Sequence, residues 1–289
     1  MIWVRGEIVP DEGLAISVLD RTFEHGLGLF ETLRTWDGRA TLLERHLARL
    51  RGWAEALGLP MAPEELPDHA AVEALRAAEG ITGDCSLRIV LSGGFDDGRA
   101  GTIWMRTRAL PAPVPEGGLA VCARWSVVGD DRLLQAKTLN YWSRRIAFEE
   151  GKRLGFDENL SRDESGAILE GSRSNVFLVE QGQLVTPQVH RGGGLAAPFL
   201  PGIMRGVVME RASSLGLPTR EDASVSIARL VEADECFLTN AGRGIMPVGR
   251  FDPEGMPESA QARRYEAPGP VTQRLMNDLN AWLRSEDAR

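Results

Sequence analysis

Residues 109–118 read Ala-Leu-Pro-Ala-Pro-Val-Pro-Glu-Gly-Gly, and no other stretch limits the fold so sharply. Each proline lacks an N–H and fixes its own φ, so three in alternation can continue neither a helix nor a central strand. The chain has 289 residues, a length that suits two domains, and they are expected to part here. The reading is a small N-terminal α+β domain over 1–112, a linker at 113–118 and a larger C-terminal domain over 119–289.

Before the linker, 2–9 reads as a strand and 28–36 as a short helix running into a strand. Trp36-Asp37-Gly38-Arg39 reads as a hairpin turn. Apolar residues recur at helical spacing from Leu42 to Leu57, and Gly58 and Pro60 end that helix. A second helix is expected at 69–79, and strands at 87–92 and 102–107. Beyond the linker, strands are expected at 119–127, 157–162, 167–169, 174–180 and 235–239, with a turn at 240–244. Helices are expected at 139–154, 203–215 and 270–284. Strands clustered with interspersed helices argue for an α+β fold over a regular βαβ alternation.

A net charge of −8 argues against nucleic acid or an anionic membrane as partner, since either would want a basic face. The three cysteines, Cys85, Cys122 and Cys236, are odd in number and widely spaced. They suggest buried free thiols, not a disulfide framework or a zinc site. With four histidines and no HxxxH pattern, no metal centre is expected. The N-terminus lacks a signal-peptide layout and no apolar run reaches membrane-spanning length, so the cytoplasm is the expected compartment. Gly26-Leu27-Gly28 lacks the third glycine of a dinucleotide fingerprint, and Gly192-Gly193-Gly194 reads as a loop.

Lysine usage is informative. Of 33 lysines and arginines only two, Lys137 and Lys152, are lysines, leaving 31 arginines. Lys152 sits in a charged helical stretch and reads as solvated. Lys137 has apolar neighbours on both sides. A desolvated lysine is a usable nucleophile toward an aldehyde, although pairing with a core carboxylate would explain it too. Glu170 lies between an apolar strand and a Gly-Ser turn. It could serve a pyridine cofactor, whose ring nitrogen needs an acidic partner, or it could cap backbone amides. Pro201-Gly202 stands before a helix, where free amides and the helix dipole favour an anion. Arg49 is flanked by the apolar Leu47 and Leu50, and an inward arginine needs an anion.

Six segments occur together and in order. They are Asp20-Arg21…Gly26…Phe30-Glu31-Thr32-Leu33-Arg34; His46-Leu47-Ala48-Arg49-Leu50; Lys137-Thr138-Leu139-Asn140; Leu169-Glu170-Gly171…Asn175-Val176-Phe177; Leu200-Pro201-Gly202-Ile203-Met204-Arg205; and Ala233-Asp234-Glu235…Thr239-Asn240-Ala241…Pro247-Val248. With them the chain resembles, from about residue 2 to residue 275, the fold type IV enzymes that use pyridoxal 5′-phosphate (PLP). These are the class IV aminotransferases, a family that includes branched-chain aminotransferase, D-amino acid aminotransferase and 4-amino-4-deoxychorismate lyase.

The resemblance implies a two-domain fold with the active site between the domains, PLP as cofactor and a homodimer. It implies that Lys137 is the Schiff-base lysine and proton shuttle, and that Glu170 bonds the pyridinium nitrogen. Arg49 would bind the phosphate with backbone amides at Ile203, Met204 and Ala241, and Tyr141 would reach the cofactor ring. His25, Phe30, Thr32, Arg34, Arg99 and Arg243 are the expected substrate contacts, the three arginines for carboxylates.

The chain also departs from the branched-chain pattern. Thr32 stands for a glycine, His25 for a tyrosine, Lys137-Thr138-Leu139-Asn140-Tyr141 for a longer Lys-to-Tyr spacing, and Ala241-Gly242-Arg243 for Thr-Ala-Ala. No Arg-x-His pair of the D-amino acid enzymes is found. The expected reaction is transfer of an amino group between an amino acid and a 2-oxo acid. The alternatives are a lyase releasing 4-aminobenzoate and pyruvate, and a PLP-binding homologue without activity.

Overall fold

The computed structural model of the protein describes residues 1–129, 132–189, 198–255 and 262–288. The glycine run 192–194, read as a loop, lies outside them. The chain divides into two compact units. The first holds Met1–Pro111, Ala136–Asn140 and Trp282–Arg289, and the second holds Ala112–Gln135 and Tyr141–Ala281. The first boundary falls inside the proline-rich stretch, and 136–140 and 282–289 group with the first unit. Hydrogen bonds account for this. Residues 136–140 pair with a first-unit strand, and Leu42 N donates to Ala288 O at 3.0 Å.

In the first unit, β1 (Ile2–Val4) and β2 (Glu7–Val9) are two strands where one was expected. Arg5 and Gly6, with φ of 49° and 88°, form the two-residue turn that suits strand twist. A short helix, α1, occupies Arg21–His25, and Gly28–Trp36 is strand throughout, β3, not helix-then-strand. The hairpin turn at 37–38 leads to β4 (Arg39–Ala40). Then come α2 (Leu43–Ala56), α3 (His69–Ala78), β5 (Ser86–Ser92) and β6 (Ile103–Arg108). Among the described residues these strands form one sheet in the order β2-β1-β6-β5-β3-β4. Period-2 alternation in β3 turns Leu29 and Leu33 into a core shared with Leu43, Leu47 and Leu50 of α2.

The second unit contains β7 (Leu119–Ser126), α4 (Trp142–Arg153), β8 (Glu158–Arg162), β9 (Ile168–Gly171) and β10 (Asn175–Glu180). It continues with β11 (Gln183–Pro187), α5 (Ile203–Ser214), β12 (Thr219–Asp222), α6 (Ile227–Glu232), β13 (Glu235–Asn240), β14 (Gly244–Asp252), β15 (Arg263–Arg264) and α7 (Pro270–Arg284). The strands run β12-β11-β10-β13-β14-β7-β8-β9, with β15 on β14. β11, β12, β14, β15 and α6 were not expected. β14 hid because Pro247 and Gly249 argue against a strand; the register shifts between Val248 and Arg250, so Gly249 sits in a bulge, where glycine is at home.

All three cysteines are buried free thiols. Among the described residues, no helix is long and apolar enough to cross a membrane.

Candidate active site

Lys137 belongs to a short segment laid along β3. Phe30 N donates to Lys137 O at 2.9 Å and Leu139 N donates to Gly28 O at 2.9 Å. The approach is close enough to require glycine. At Gly28, with φ of 135°, a Cβ would stand 2.6 Å from Leu139 Cδ1 and 2.7 Å from Leu91 O. Lys137 is half-buried, with Nζ 4.6 Å from the centroid of the buried Phe30 ring. The Arg88 guanidinium stands 3.8 Å from the same ring centre. Arg88 faces Thr32 across β3 and β5, and faces Arg106 across β5 and β6. One sheet face thus gathers Lys137, Phe30, Thr32 and the opposed Arg88 and Arg106.

The opposite face of β3 holds a buried charge cluster. Glu31, 1% exposed, accepts from Arg49 Nε at 2.8 Å and from Arg49 Nη2 at 2.7 Å, with His46 Nδ1 2.7 Å away. Burial alone would raise the Glu31 pKa; the Arg49 charge and the His46 hydrogen bond outweigh it and hold the carboxylate down to about 2. Burial, aided by the Arg49 and Lys137 charges, pushes His46 below its usual range against the pull of Glu31. His46 is therefore neutral near pH 7, and its Nε2 is buried without a hydrogen-bond partner. Glu31 thus supplies the inward Arg49 with an anion from within the protein.

In the second unit, Glu170 is 2% exposed. Its Oε1 lies 2.6 Å from Arg144 Nη1, and its Oε2 accepts from Leu200 N at 3.3 Å. Tyr141, Arg144 and Phe148 line one face of α4 against the turn after Glu170. The Tyr141 hydroxyl donates to Ser172 O at 3.4 Å, and the Arg173 guanidinium lies 3.5 Å from the Phe148 ring centre. Burial pushes the Tyr141 phenol upward. The turn itself is fastened by Glu158, which accepts from Ser172 N at 3.0 Å, Ser174 Oγ at 2.9 Å and the Ser172 hydroxyl.

An uncapped helix start adjoins this turn. α5 starts after Gly202 with no side-chain cap, so Ile203 and Met204 head a helix whose first amides no cap consumes. Asn175 Nδ2 donates to Leu200 O at 2.8 Å, and a Cβ on Gly202 would overlap Asn175 Oδ1. Asn175 also pairs with Thr239 across β10 and β13, which brings the start of α5 to the turn at 240–243. There Asn240 Oδ1 accepts from Gly242 N at 3.0 Å and from Arg243 N at 2.9 Å, which shapes the loop around Ala241. Thr239 Oγ1 is buried with no hydrogen-bond partner. A buried carboxylate and, beside it, an uncapped helix start with an unpartnered hydroxyl fit the pyridine nitrogen and the phosphate of PLP.

The expected substrate residues lie in different settings. Phe30 is buried under Lys137, and Thr32 is half-buried opposite Arg88. His25 ends α1, exposed, 3.9 Å from Glu24. Arg34 stacks on Trp36 and pairs with Asp84 at 3.2 Å. Arg99 is exposed and pairs with Asp97 at 2.7 Å. Arg243 has no ion pair among the described residues, and its Nε is buried without a hydrogen-bond partner; burial and the neighbouring Arg173 push its pKa down. Sequence reasoning missed Arg88, Arg144 and Thr239. Arg88 carried a signal, a charge inside an otherwise apolar strand run.

Comparison with known proteins bears on the family and the fold. The model of the family "Amino-transferase class IV" matches residues 28–251. A branched-chain-amino-acid aminotransferase of Salmonella typhimurium is 27% identical over 95% of this chain and 90% of its own. The crystal structure of a branched-chain aminotransferase from Thermoproteus uzoniensis with norvaline superposes with a TM-score of 0.84 at 27% identity, covering 99% of this chain and 96% of that one. A 4-amino-4-deoxychorismate lyase from Pseudomonas aeruginosa superposes with a TM-score of 0.78 at 30% identity, covering 99% and 100%. With a matching family model over most of its length and the two-sheet α+β fold, the chain belongs to the class IV aminotransferases, enzymes that depend on PLP.

Proposed function

We propose that this enzyme moves an amino group between an amino acid and a 2-oxo acid, with Lys137 as its reactive lysine. The observation that carries the reading is Lys137 itself, tied by its backbone to β3 with its amine against Phe30. PLP, when bound, supplies an electron sink for the negative charge that develops on the substrate's Cα.

The chain's residues do the rest. Lys137 would hold the cofactor through its amine and, as the general base, would take the proton from the substrate's Cα onto that amine. The Glu170 carboxylate accepts the N–H of the pyridine and keeps that nitrogen protonated. Arg49, the amides of Ile203, Met204 and Ala241, and the Thr239 hydroxyl hold the phosphate, and Tyr141 orients the ring. Arg243 is the favoured partner for a substrate carboxylate, since Arg34 and Arg99 already hold Asp84 and Asp97.

A second copy of the chain is the expected partner. Val18, Leu19 and Phe23 are exposed around α1 in the first unit, and Trp142 and Ile146 lie one turn apart on α4 in the second, 73% and 61% exposed. Such apolar surface is characteristic of interfaces.

Single amino acids of both hands, added without a 2-oxo acid, test the reaction. Loss of the visible cofactor band with release of the matching 2-oxo acid supports transamination, and the responding side chain names the substrate. The 30% identity to the lyase of P. aeruginosa over the full chain favours a second reading. An enzyme that ignores every amino acid but releases pyruvate from aminodeoxychorismate would establish it.

A further inference from the structure

Neighbouring arginines on α4 behave in opposite ways. Arg145 is 63% exposed and pairs with Glu149 one turn on, as a surface helix arginine does. The Arg144 side chain is 6% exposed and turns inward to Glu170, itself 3% exposed, at 2.6 Å. Its Nη2 donates to the Leu134 carbonyl at 2.6 Å, and its guanidinium stands 5.9 Å from the Tyr141 ring centre. The cation is therefore held on two sides before it meets the carboxylate. For stability alone such a pair is poorly chosen, because well-packed apolar residues do as well or better. The pair makes sense if the carboxylate must remain charged where burial favours its neutral form.

We propose that Arg144 is a positioning residue that aims the Glu170 carboxylate and keeps it anionic for the pyridine nitrogen of PLP. The inference rests on the reading of Glu170 given above. Geometry allows both partners, since a carboxylate offers about four acceptor positions. Arg144 approaches Oε1, and the Leu200 amide uses one position on Oε2. The contact also has a chemical consequence. An arginine beside the carboxylate lowers its proton affinity, so the pyridine nitrogen is held by a weaker base than an isolated buried glutamate would be.

Other charged groups face the pair. The Tyr141 phenol comes from the residue just before α4 and Arg173 from the β9–β10 turn. Glu158 comes from β8, its oxygens occupied by the Ser172 amide, by the Ser172 and Ser174 hydroxyls and, at 3.0 Å, by the amide of Asn159. The start of α5 brings no charge before Arg205, which is bound to Glu221.

The test is PLP affinity of the full-length protein, measured by absorbance titration from pH 5 to pH 9, for wild type, Arg144→Met, Arg144→Lys and Glu170→Gln. Circular dichroism confirms folding, and Arg144→Gln replaces the Met variant if that variant does not fold. Taking the ratio of each variant to wild type cancels titration of the phosphate and of Lys137. The proposal expects the Met variant to approach wild-type affinity at alkaline pH and to lose it on the acid side, with the acid limb raised by about 1–3 pH units. Arg144→Lys, which keeps the charge, returns the limb toward wild type. A Met-to-wild-type ratio that is constant with pH, while Glu170→Gln weakens binding, overturns the role of Arg144 and leaves that of Glu170 standing. A Glu170→Gln protein that binds PLP like wild type at every pH removes the Glu170 reading, and the proposal with it.

Discussion

Glu31→Gln probes the cluster that holds Arg49. Glutamine keeps the shape of the side chain and removes its charge, leaving the Arg49 guanidinium, 13% exposed, without its counter-ion. The magnitude follows from the carboxylate's proton affinity. Its pKa falls from an ordinary 4.5 to about 2, and each tenfold change in proton affinity is worth about 1.36 kcal/mol, so the native environment favours the charge by roughly 3 kcal/mol. Removing one partner of a buried pair costs a similar amount, about 3–5 kcal/mol. Because the folded-state value is depressed, this stability is fully present above about pH 4.5 and is lost as pH falls through about 2. A measurement at pH 7 therefore sits on the plateau.

The assay is urea unfolding of cofactor-free protein, so that ligand linkage does not enter, run as a double-mutant cycle with Arg49→Met. Glu31→Gln should cost about 3 kcal/mol, and adding Arg49→Met should recover part of it, because the stranded cation goes with it. A cost under about 0.5 kcal/mol, a value ordinary for surface substitutions, or strict additivity with Arg49→Met would refute the reasoning.

Three further outcomes are expected. Gly28→Ala puts a Cβ against the Leu91 carbonyl and Leu139, so it should destabilise by about 1–3 kcal/mol and lower PLP loading by shifting the Lys137 segment; an unchanged urea midpoint with full loading would contradict this. Thr239→Val removes a buried hydroxyl with no partner, so the cofactor-free protein should hold or gain stability while PLP affinity falls about tenfold, near the worth of one hydrogen bond. Equal losses in both would mean the hydroxyl serves the fold alone. The thiols of Cys85, Cys122 and Cys236 are pushed up by burial, Cys122 to about 12, so a disulfide reagent should label none of them until denaturant is added.

Much of the fold was legible because pattern and burial agree. The leucines of α2 repeat at helical spacing and meet Leu29 and Leu33 of β3. The misreadings have local causes. Arg5 holds a left-handed conformation usually left to glycine or asparagine, so a hairpin read as one strand. The stretch 28–36 read as a short helix running into a strand, yet it is strand from Gly28 on, where the Lys137 segment passes too close for any side chain.

At the site, Lys137 and Glu170 were legible as charges in apolar surroundings. Arg144 was not, since it follows the pattern of an amphipathic surface helix and stands next to an arginine that is one. Only the pairing of α4 with the turn after Glu170, a contact distant in sequence, distinguishes the two. Arg49 shows the converse. An inward arginine needs an anion, and one partner is Glu31, 18 residues away in sequence and not legible as a neighbour there.

The central claim is that Lys137 carries the cofactor, and the near absence of lysine makes it unusually easy to test. The protein loaded with PLP is reduced with borohydride, digested and mapped by mass spectrometry. There are two lysines in the chain, so the pyridoxyl group has two side-chain amines to choose between. The account predicts label on Lys137 alone, and none after Lys137→Ala. Label on Lys152, which is exposed and paired with Asp157 at 3.4 Å, or on neither lysine, would contradict it.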